Sequence, residues 1–150
     1  MYFKQISENY AAHGQILPQH MAEIASLGFK TVINNRPDGE EAGQPLEAEL
    51  KAAAEVAGLT YAFIPMTMPT LSPELVTQHH TAIEASHGPV FAFCRSGTRS
   101  TVLWALTQVR FHGHSIPDVI SAAGQQGYDL SGVAPLLEEY REERKRDGED

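Results

Sequence analysis

Short apolar runs alternate along the chain with longer segments of helical periodicity. Three runs, residues 31–34, 61–64 and 89–93, are rich in β-branched and aromatic side chains and are bounded by glycine or proline. This pattern is typical of buried strands. The segments YFKQI and GQIL near the N-terminus are predicted to add an edge strand or a hairpin.

Apolar residues spaced three and four apart predict helices between and after these strands. The predicted segments are residues 19–27, 46–57, 72–86 and 101–111, then one helix that begins after Ser115 and one around residues 133–140. Alternating strands and helices indicate an α/β fold with a largely parallel sheet. The 150 residues are expected to form one domain, with a charged tail over about residues 141–150 that frays as a helix end.

Composition and charge limit the classes of ligand and the cellular location that we expect. The net charge of -8 argues against general nucleic-acid binding, and no apolar run is long enough to span a membrane. No secretory signal is recognised, and a single cysteine agrees with a reducing cytoplasm, so we expect a cytoplasmic protein without a membrane partner. An anionic ligand would need a local positive site. The oligomeric state stays open.

Three loops follow the predicted strands, at residues 35–41, 65–70 and 94–100. In open α/β sheets, ligands bind beyond the carboxyl ends of the strands. If the sheet is parallel, these loops open on one edge and can build one site.

The third loop, in the stretch FCRSGTRS, carries the strongest chemical signal. Cys94, the only cysteine, ends a strand, and a tight turn then leads into a helix. Such a turn points backbone N–H groups inward and favours a bound anion and the thiolate form of the cysteine. We expect Cys94 to act as nucleophile, Arg99 to hold oxyanion oxygens with its planar fork, and Ser100 to hydrogen-bond the sulfur. The predicted substrate-binding residues are Arg95, Ser96, Gly97 and Thr98.

Two other interpretations of this loop do not fit its sequence. A buried cysteine that serves packing alone would not require the Arg-Ser-Gly-Thr-Arg-Ser that follows. A nucleotide-binding loop is excluded because no Gly-Lys-Ser/Thr ending is present.

The segments GFKTVINNRPDGEE, GLTYAFIPM, LSPELV and PVFAFCRSGTRSTVLWAL, in that order, resemble a bacterial family, the phosphatase-like domain of beta-lactamase hydrolase-like proteins. The resemblance implies the dual-specificity and tyrosine phosphatase fold, a three-layer arrangement with a twisted, mostly parallel sheet of four or five strands flanked by helices. It also implies a phosphorylated or other oxyanionic substrate and no cofactor. Related domains occur fused to a metallo-β-lactamase-type domain, whose His/Asp cluster is not found in this sequence.

The loop departs from the phosphatase pattern in two ways. Phe93 stands where these phosphatases carry histidine, and four residues rather than five separate Cys94 from Arg99. The shorter spacing also resembles rhodanese sulfurtransferases, although their upstream motifs are missing. Three functions therefore remain open: a cysteine phosphatase, a sulfurtransferase that carries a persulfide on Cys94, and a non-catalytic oxyanion or phosphopeptide binder.

Phosphatase chemistry also needs a general acid to protonate the leaving oxygen. The loop at residues 65–71 contains no carboxylate, so Asp38 in the first loop is the predicted acid, with a turn-forming Pro-Asp-Gly as the alternative. Arg36 could equally pair with Glu40 or Glu41. Gln125 and Gln126 could orient a hydrolytic water or simply be polar loop residues. His79 and His80 are interpreted as structural, and no metal site is expected.

Overall fold

The computed structural model describes Met1 and residues 3–149. Tyr2, part of the predicted N-terminal edge segment, and Asp150, part of the predicted tail, lie outside the described residues. Five strands form one sheet in the order β1-β2-β5-β3-β4, in which only the β1–β2 pair is antiparallel. The strands are β1 Lys4–Ser7, β2 Tyr10–His13, β3 Thr31–Asn34, β4 Thr60–Phe63 and β5 Val90–Phe93. The predicted α/β fold with a mostly parallel sheet is confirmed.

Helices cover both faces of the sheet, so the fold has three layers. The helices are α1 Met21–Ser26, α2 Glu47–Val56, α3 Pro73–Ala85, α4 Thr98–His112, α5 Ile116–Gln125 and α6 Ala134–Arg146. Short 3-10 turns occupy Pro18–His20, Met68–Thr70 and Ser131–Val133. Side-chain caps begin two helices, because Ser72 accepts from the Leu75 amide and Ser115 accepts from the Asp118 amide.

The alternation of side chains along the strands divides the core in two. Ala12, Ala92 and Ile33 face the helices α3 to α6, whereas their neighbours Ala11 and Phe91 face α1 and α2. Parallel pairing brings the carboxyl ends of β3, β4 and β5 to one edge. There the Asn35 amide bonds the Phe93 carbonyl at 2.8 Å, and the Met66 amide bonds the Asn35 carbonyl at 3.0 Å. The three loops predicted to meet do meet.

The N-terminal strands differ from the prediction at one point. The segment GQIL is not a strand, and β2 is instead formed by Tyr10–His13, which pairs on both sides. Tyr10, Ala11 and Ala12 are fully buried. Alanine has low strand propensity, but its small size suits a strand packed between two helical layers, so tertiary packing overrides propensity here.

The described part of the C-terminal tail contacts helix α4. Helix α6 extends to Arg146, and the tail folds back onto α4 through the nearly buried Arg110. The Arg110 guanidinium pairs with Glu149 at 2.8 Å, with Glu143 at 3.6 Å and with Asp147. These ion pairs hold the charged C-terminal residues against α4, whereas their sequence alone suggests side chains that contact only solvent. Within the described chain, no helix has both the length and the apolar character that crossing a bilayer demands.

Candidate active site

The loop from Cys94 to Gly97 joins β5 to α4 and wraps around the cysteine sulfur. Cys94 is fully buried, and the Gly97 N–H donates to Cys94 Sγ at 3.0 Å. Gly97 precedes the first residue of α4 and has φ +96°, a left-handed conformation that side chains rarely adopt. A Cβ on Gly97 would also lie 2.1 Å from Tyr128 Oη. Glycine is therefore required at this position for both conformation and space.

The sulfur lies at the N-terminal end of α4, where backbone N–H groups and the helix dipole favour negative charge. Burial raises the pKa of Tyr10 and of Tyr128, and a negative Cys94 raises both further. Tyr128 also donates to the Ser96 carbonyl at 3.2 Å, so it closes over the outer side of the loop. The sequence does not predict the contact between Tyr128 and Ser96, because Tyr128 lies after helix α5, far along the chain from the loop.

The Arg99 guanidinium is fixed by three hydrogen bonds. Nη1 donates to the Met66 carbonyl at 2.7 Å and to Glu40 Oε2 at 2.9 Å, and Nη2 donates to Glu40 Oε1 at 2.8 Å. The hydrogen bond to Glu40 is the main cause that raises the pKa of Arg99, and Cys94 contributes as well. Arg99 therefore lies between the first loop of the site and the cysteine.

Apart from the contact with Cys94, these bonds leave part of the guanidinium without an acceptor among the described residues. A guanidinium has five N–H groups in one plane. Nε–H lies parallel to one N–H of Nη2, the one that does not point to Glu40. Among the described residues, no oxygen accepts a hydrogen bond from Nε or a second one from Nη2. The pair forms a side-on fork that can bind two oxygens of a tetrahedral oxyanion.

Glu40 connects Arg99 to a second, buried arginine. Arg36 is 1% exposed, donates from Nε to Glu40 Oε1 at 2.8 Å and from Nη1 to Gln15 Oε1 at 3.0 Å. The hydrogen bond from Arg99, followed by that from Arg36, lowers the pKa of Glu40 to about 2 despite partial burial. Glu40 is thus a permanent carboxylate at neutral pH and a poor proton donor. The sequence offered the pairing of Arg36 with Glu40 as one possibility. It did not predict the contact between Glu40 and Arg99.

Ser100 does not occupy the expected position. Its Oγ donates to Asn35 Oδ1 at 2.8 Å, and the hydrogen bond that reaches Cys94 Sγ comes from Gly97. Asn35 is fully buried at the end of β3 and also donates to the Ile64 carbonyl at 2.9 Å. The expected bond from Ser100 to the sulfur is therefore replaced by one that ties α4 to the neighbouring loop.

A buried network continues from Ser100 into the core. Tyr10 Oη donates to the Ser100 carbonyl at 2.7 Å and lies 2.9 Å from His79 Nε2. Because Tyr10 has one hydroxyl proton, His79 Nε2–H must donate to it, which leaves Nδ1 to accept from Asn35 at 3.4 Å. Burial lowers the pKa of His79 to about 3, so the imidazole is neutral. His79 is structural, as interpreted from the sequence.

The other predicted substrate-binding residues line the loop. The Arg95 side chain is 66% exposed and lies 3.6 Å from Glu41 Oε2. Ser96 Oγ and Thr98 Oγ1 are 3.1 Å apart at the surface. Arg95 is therefore placed at the rim, whereas Arg99 reaches inward.

Asp38 lies beside helix α2. Its Oδ1 accepts from the Glu47 amide at 2.9 Å, which caps the first turn of that helix. Among the described residues it makes no hydrogen bond or ion pair with the Cys94 loop. Gln125 ends α5 and is exposed, and Gln126 follows it.

The family described as "Beta-lactamase hydrolase-like protein, phosphatase-like domain" matches residues 2–111. The chain belongs to this family. A Beta-lactamase hydrolase-like protein of Agrobacterium fabrum is 34% identical over 134 residues, which cover 89% of this chain and 31% of that protein. The chain thus spans about a third of the length of the curated relatives it matches.

Solved structures of phosphatases share this fold. The crystal structure of a "putative phosphatase" from Neisseria meningitidis superposes with a TM-score of 0.81 at 32% identity, covering 91% of this chain and 96% of that one. P. aeruginosa TpbA in complex with pTyr gives a TM-score of 0.64 at 16% identity, covering 93% and 87%. The second likeness concerns the fold alone. This phosphatase-like family and its structural neighbours agree with the predicted tyrosine and dual-specificity phosphatase fold.

Proposed function

We propose that this chain is a cysteine-dependent phosphatase that hydrolyses phosphate monoesters through a phosphocysteine on Cys94. The observation that carries the proposal is the Cys94 loop itself. A buried sulfur accepts the Gly97 N–H at 3.0 Å, and Glu40 holds Arg99 so that Nε–H and one Nη2–H have no oxygen acceptor among the described residues. A thiolate surrounded by anion-binding donors is a nucleophile facing the place where a phosphate binds.

The reaction has two steps. Cys94 Sγ attacks phosphorus while the bond from phosphorus to the ester oxygen breaks, and the leaving oxygen takes a proton. Water then attacks the phosphocysteine, the S–P bond breaks, and inorganic phosphate leaves with Cys94 again a thiolate. The Nε–H and Nη2–H of Arg99, with the loop amides of residues 95–100, bind the oxygens that gain charge in both transition states.

Glu40 and Arg36 act as positioning residues. The carboxylate of Glu40 is a fixed anion that holds the end of the Arg99 guanidinium, so that Arg99 reaches the substrate in one orientation. Arg36 is buried and holds Glu40 from the other side. Preorganised donors need no rearrangement when charge develops, which is the reason that such support matters for the rate.

Asp38 is proposed as the general acid. Its support is its place in the loop between β3 and α2, which also carries Glu40 and so extends to the Arg99 side of the site. Glu40 is unsuited to this role because its pKa is about 2. Asp38 would have to leave the first turn of α2 to reach a leaving group.

One observation favours a sulfurtransferase as the second candidate. Four residues separate Cys94 from Arg99, as in the shorter rhodanese loops. In that reaction Cys94 would take the sulfane sulfur of thiosulfate, release sulfite and pass the sulfur from the persulfide to an acceptor thiol. The substrate would still be an oxyanion.

The two chemistries are separated by parallel assays on one preparation. The protein is incubated with p-nitrophenyl phosphate, and separately with thiosulfate and an acceptor thiol such as dithiothreitol. The proposal predicts release of p-nitrophenol that is lost in Cys94→Ser, with no sulfite above the Cys94→Ser background. Sulfite release without phosphate hydrolysis would support the sulfurtransferase, and phosphate binding with neither reaction would indicate an oxyanion binder.

A further inference from the structure

Three side chains with metal-ligating atoms converge far from the cysteine loop. His80 and Glu84 lie one helical turn apart on α3, and His112 is the last residue of α4. One ligand atom from each lies within 4.8 Å of the other two. His112 Nε2 is 3.1 Å and His80 Nδ1 is 4.0 Å from Glu84 Oε1. The cluster lies roughly 20 Å along α4 from the Cys94 loop, at 1.5 Å per residue.

One of these atoms has no hydrogen-bond partner in the part of the chain that the structure describes. His80 Nδ1 is buried and makes no hydrogen bond to any described residue. The His80 ring stacks on Phe111, with ring centroids 4.0 Å apart and planes at 11°, so the imidazole is held in place. Buried polar atoms in proteins are nearly always satisfied, and His80 Nδ1 lies 4.0 Å from Glu84 Oε1, close enough for one cation to bind both atoms.

The surroundings favour positive charge. Glu84 is the penultimate residue of α3 and His112 ends α4, so the cluster sits at the carboxyl ends of two helices, where the helix dipole is negative.

We propose that His80 Nδ1, the Glu84 carboxylate and His112 Nε2 form a site for a divalent transition-metal ion of the Zn²⁺ type. Two imidazole nitrogens and one carboxylate are a common zinc ligand set, with a fourth position for water. Bonds of about 2.0–2.1 Å to a tetrahedral ion place the ligand atoms about 3.3 Å apart. The contact of 3.1 Å already matches that spacing, and rotation of the exposed Glu84 and His112 side chains toward the stacked His80 ring closes the longer ones. The ion joins α3 to the end of α4 and stabilises the fold.

The test uses tag-free protein carrying Cys94→Ser, so that the thiol cannot bind the probe. Zn²⁺ is titrated by calorimetry and by competition with a chromophoric chelator, and thermal unfolding is followed with and without Zn²⁺. We expect one ion per chain and a rise in the unfolding midpoint with Zn²⁺. His80→Ala and His112→Gln should each weaken binding by at least about tenfold and remove the rise.

The matched control is His87→Ala, an exposed histidine that follows α3 but lies outside the cluster. It should bind Zn²⁺ like the parent protein. His112→Gln places a helix-compatible side chain at an exposed position, so this variant is expected to fold. It therefore tests the site even if His80→Ala fails to fold. Absence of stoichiometric Zn²⁺ binding, or binding that survives both cluster substitutions, would overturn the site.

Discussion

The Arg99 guanidinium meets Glu40 end-on, with Nη1 2.9 Å from Oε2 and Nη2 2.8 Å from Oε1. The pair joins the loop after β5 to the loop after β3. Glu40 accepts one hydrogen bond from Nη1 and one from Nη2. The parallel Nε–H and second Nη2–H remain without an oxygen acceptor among the described residues. In the proposed reaction, Glu40 therefore sets the orientation of Arg99 and does not compete with the substrate for the same N–H groups.

Substituting Glu40 tests this arrangement. Glu40→Gln keeps the shape but removes the charge that holds both arginines, so we expect kcat/KM for p-nitrophenyl phosphate to fall about 10- to 100-fold, mostly through kcat. The control is Glu41→Gln, because the Glu41 carboxylate is half exposed and contacts Arg36 and Arg95 at 3.5 and 3.6 Å. That variant should lose no more than a few-fold. Equal losses in the two variants would show that the Glu40–Arg99 pair has no special role.

The same carboxylate makes stability depend on pH. The folded state holds the pKa of Glu40 at about 2, below its ordinary value of 4.5, chiefly through the hydrogen bond from Arg99. The unfolded state therefore binds the proton first as pH falls, and the stabilisation is present above pH 4.5 and lost between there and pH 2. Urea unfolding of the wild type and Glu40→Gln should differ most near neutral pH and converge toward pH 2. If the free energies of unfolding of the two proteins differed by the same amount from neutral pH to pH 2, the charge of Glu40 would not be the source of the stabilisation.

Asp38→Asn tests the proposed general acid. Asparagine also caps helices, so the bond to the Glu47 amide and the stability are expected to persist. A phosphoserine peptide, whose alkoxide must be protonated, should be hydrolysed about 10²-fold or more slowly. p-Nitrophenyl phosphate, whose leaving group needs no proton, should change little. Equal effects on the two substrates would remove Asp38 from the reaction.

The two arginines of the loop should differ in importance. Arg99→Lys keeps the charge but loses the planar fork, so we expect a loss of about a hundredfold or more in kcat/KM. Arg95→Lys should cost only a few-fold, because the Arg95 side chain is exposed at the rim and pairs with Glu41. Equal losses would mean that the oxyanion is bound by a different guanidinium from the one proposed.

The parts of this protein that the sequence predicts are those encoded by contiguous residues. The strands β3 to β5 follow from β-branched and aromatic runs, and the Cys94 loop is read directly from FCRSGTRS. Strand β2 was missed because its two alanines lack strand propensity, and only burial between two helical layers explains them.

Long-range pairs were beyond the sequence for a physical reason. Glu40 meets Arg99, and Asn35 takes the Ser100 hydroxyl, because the register between β3 and β5 brings two distant loops together. The cluster of His80, Glu84 and His112 likewise depends on how α3 crosses α4. No local pattern specifies these distances.

The central claim, a covalent phosphoryl transfer to Cys94, is tested most directly by trapping the intermediate. The protein is mixed with p-nitrophenyl phosphate, quenched during turnover without strong base, digested and analysed by mass spectrometry, with Cys94→Ser as the control. We predict a phosphorylated peptide whose modified residue is Cys94, absent from the Cys94→Ser digest, which should also lack hydrolytic activity. Turnover of the ester in Cys94→Ser at the wild-type rate would contradict the account.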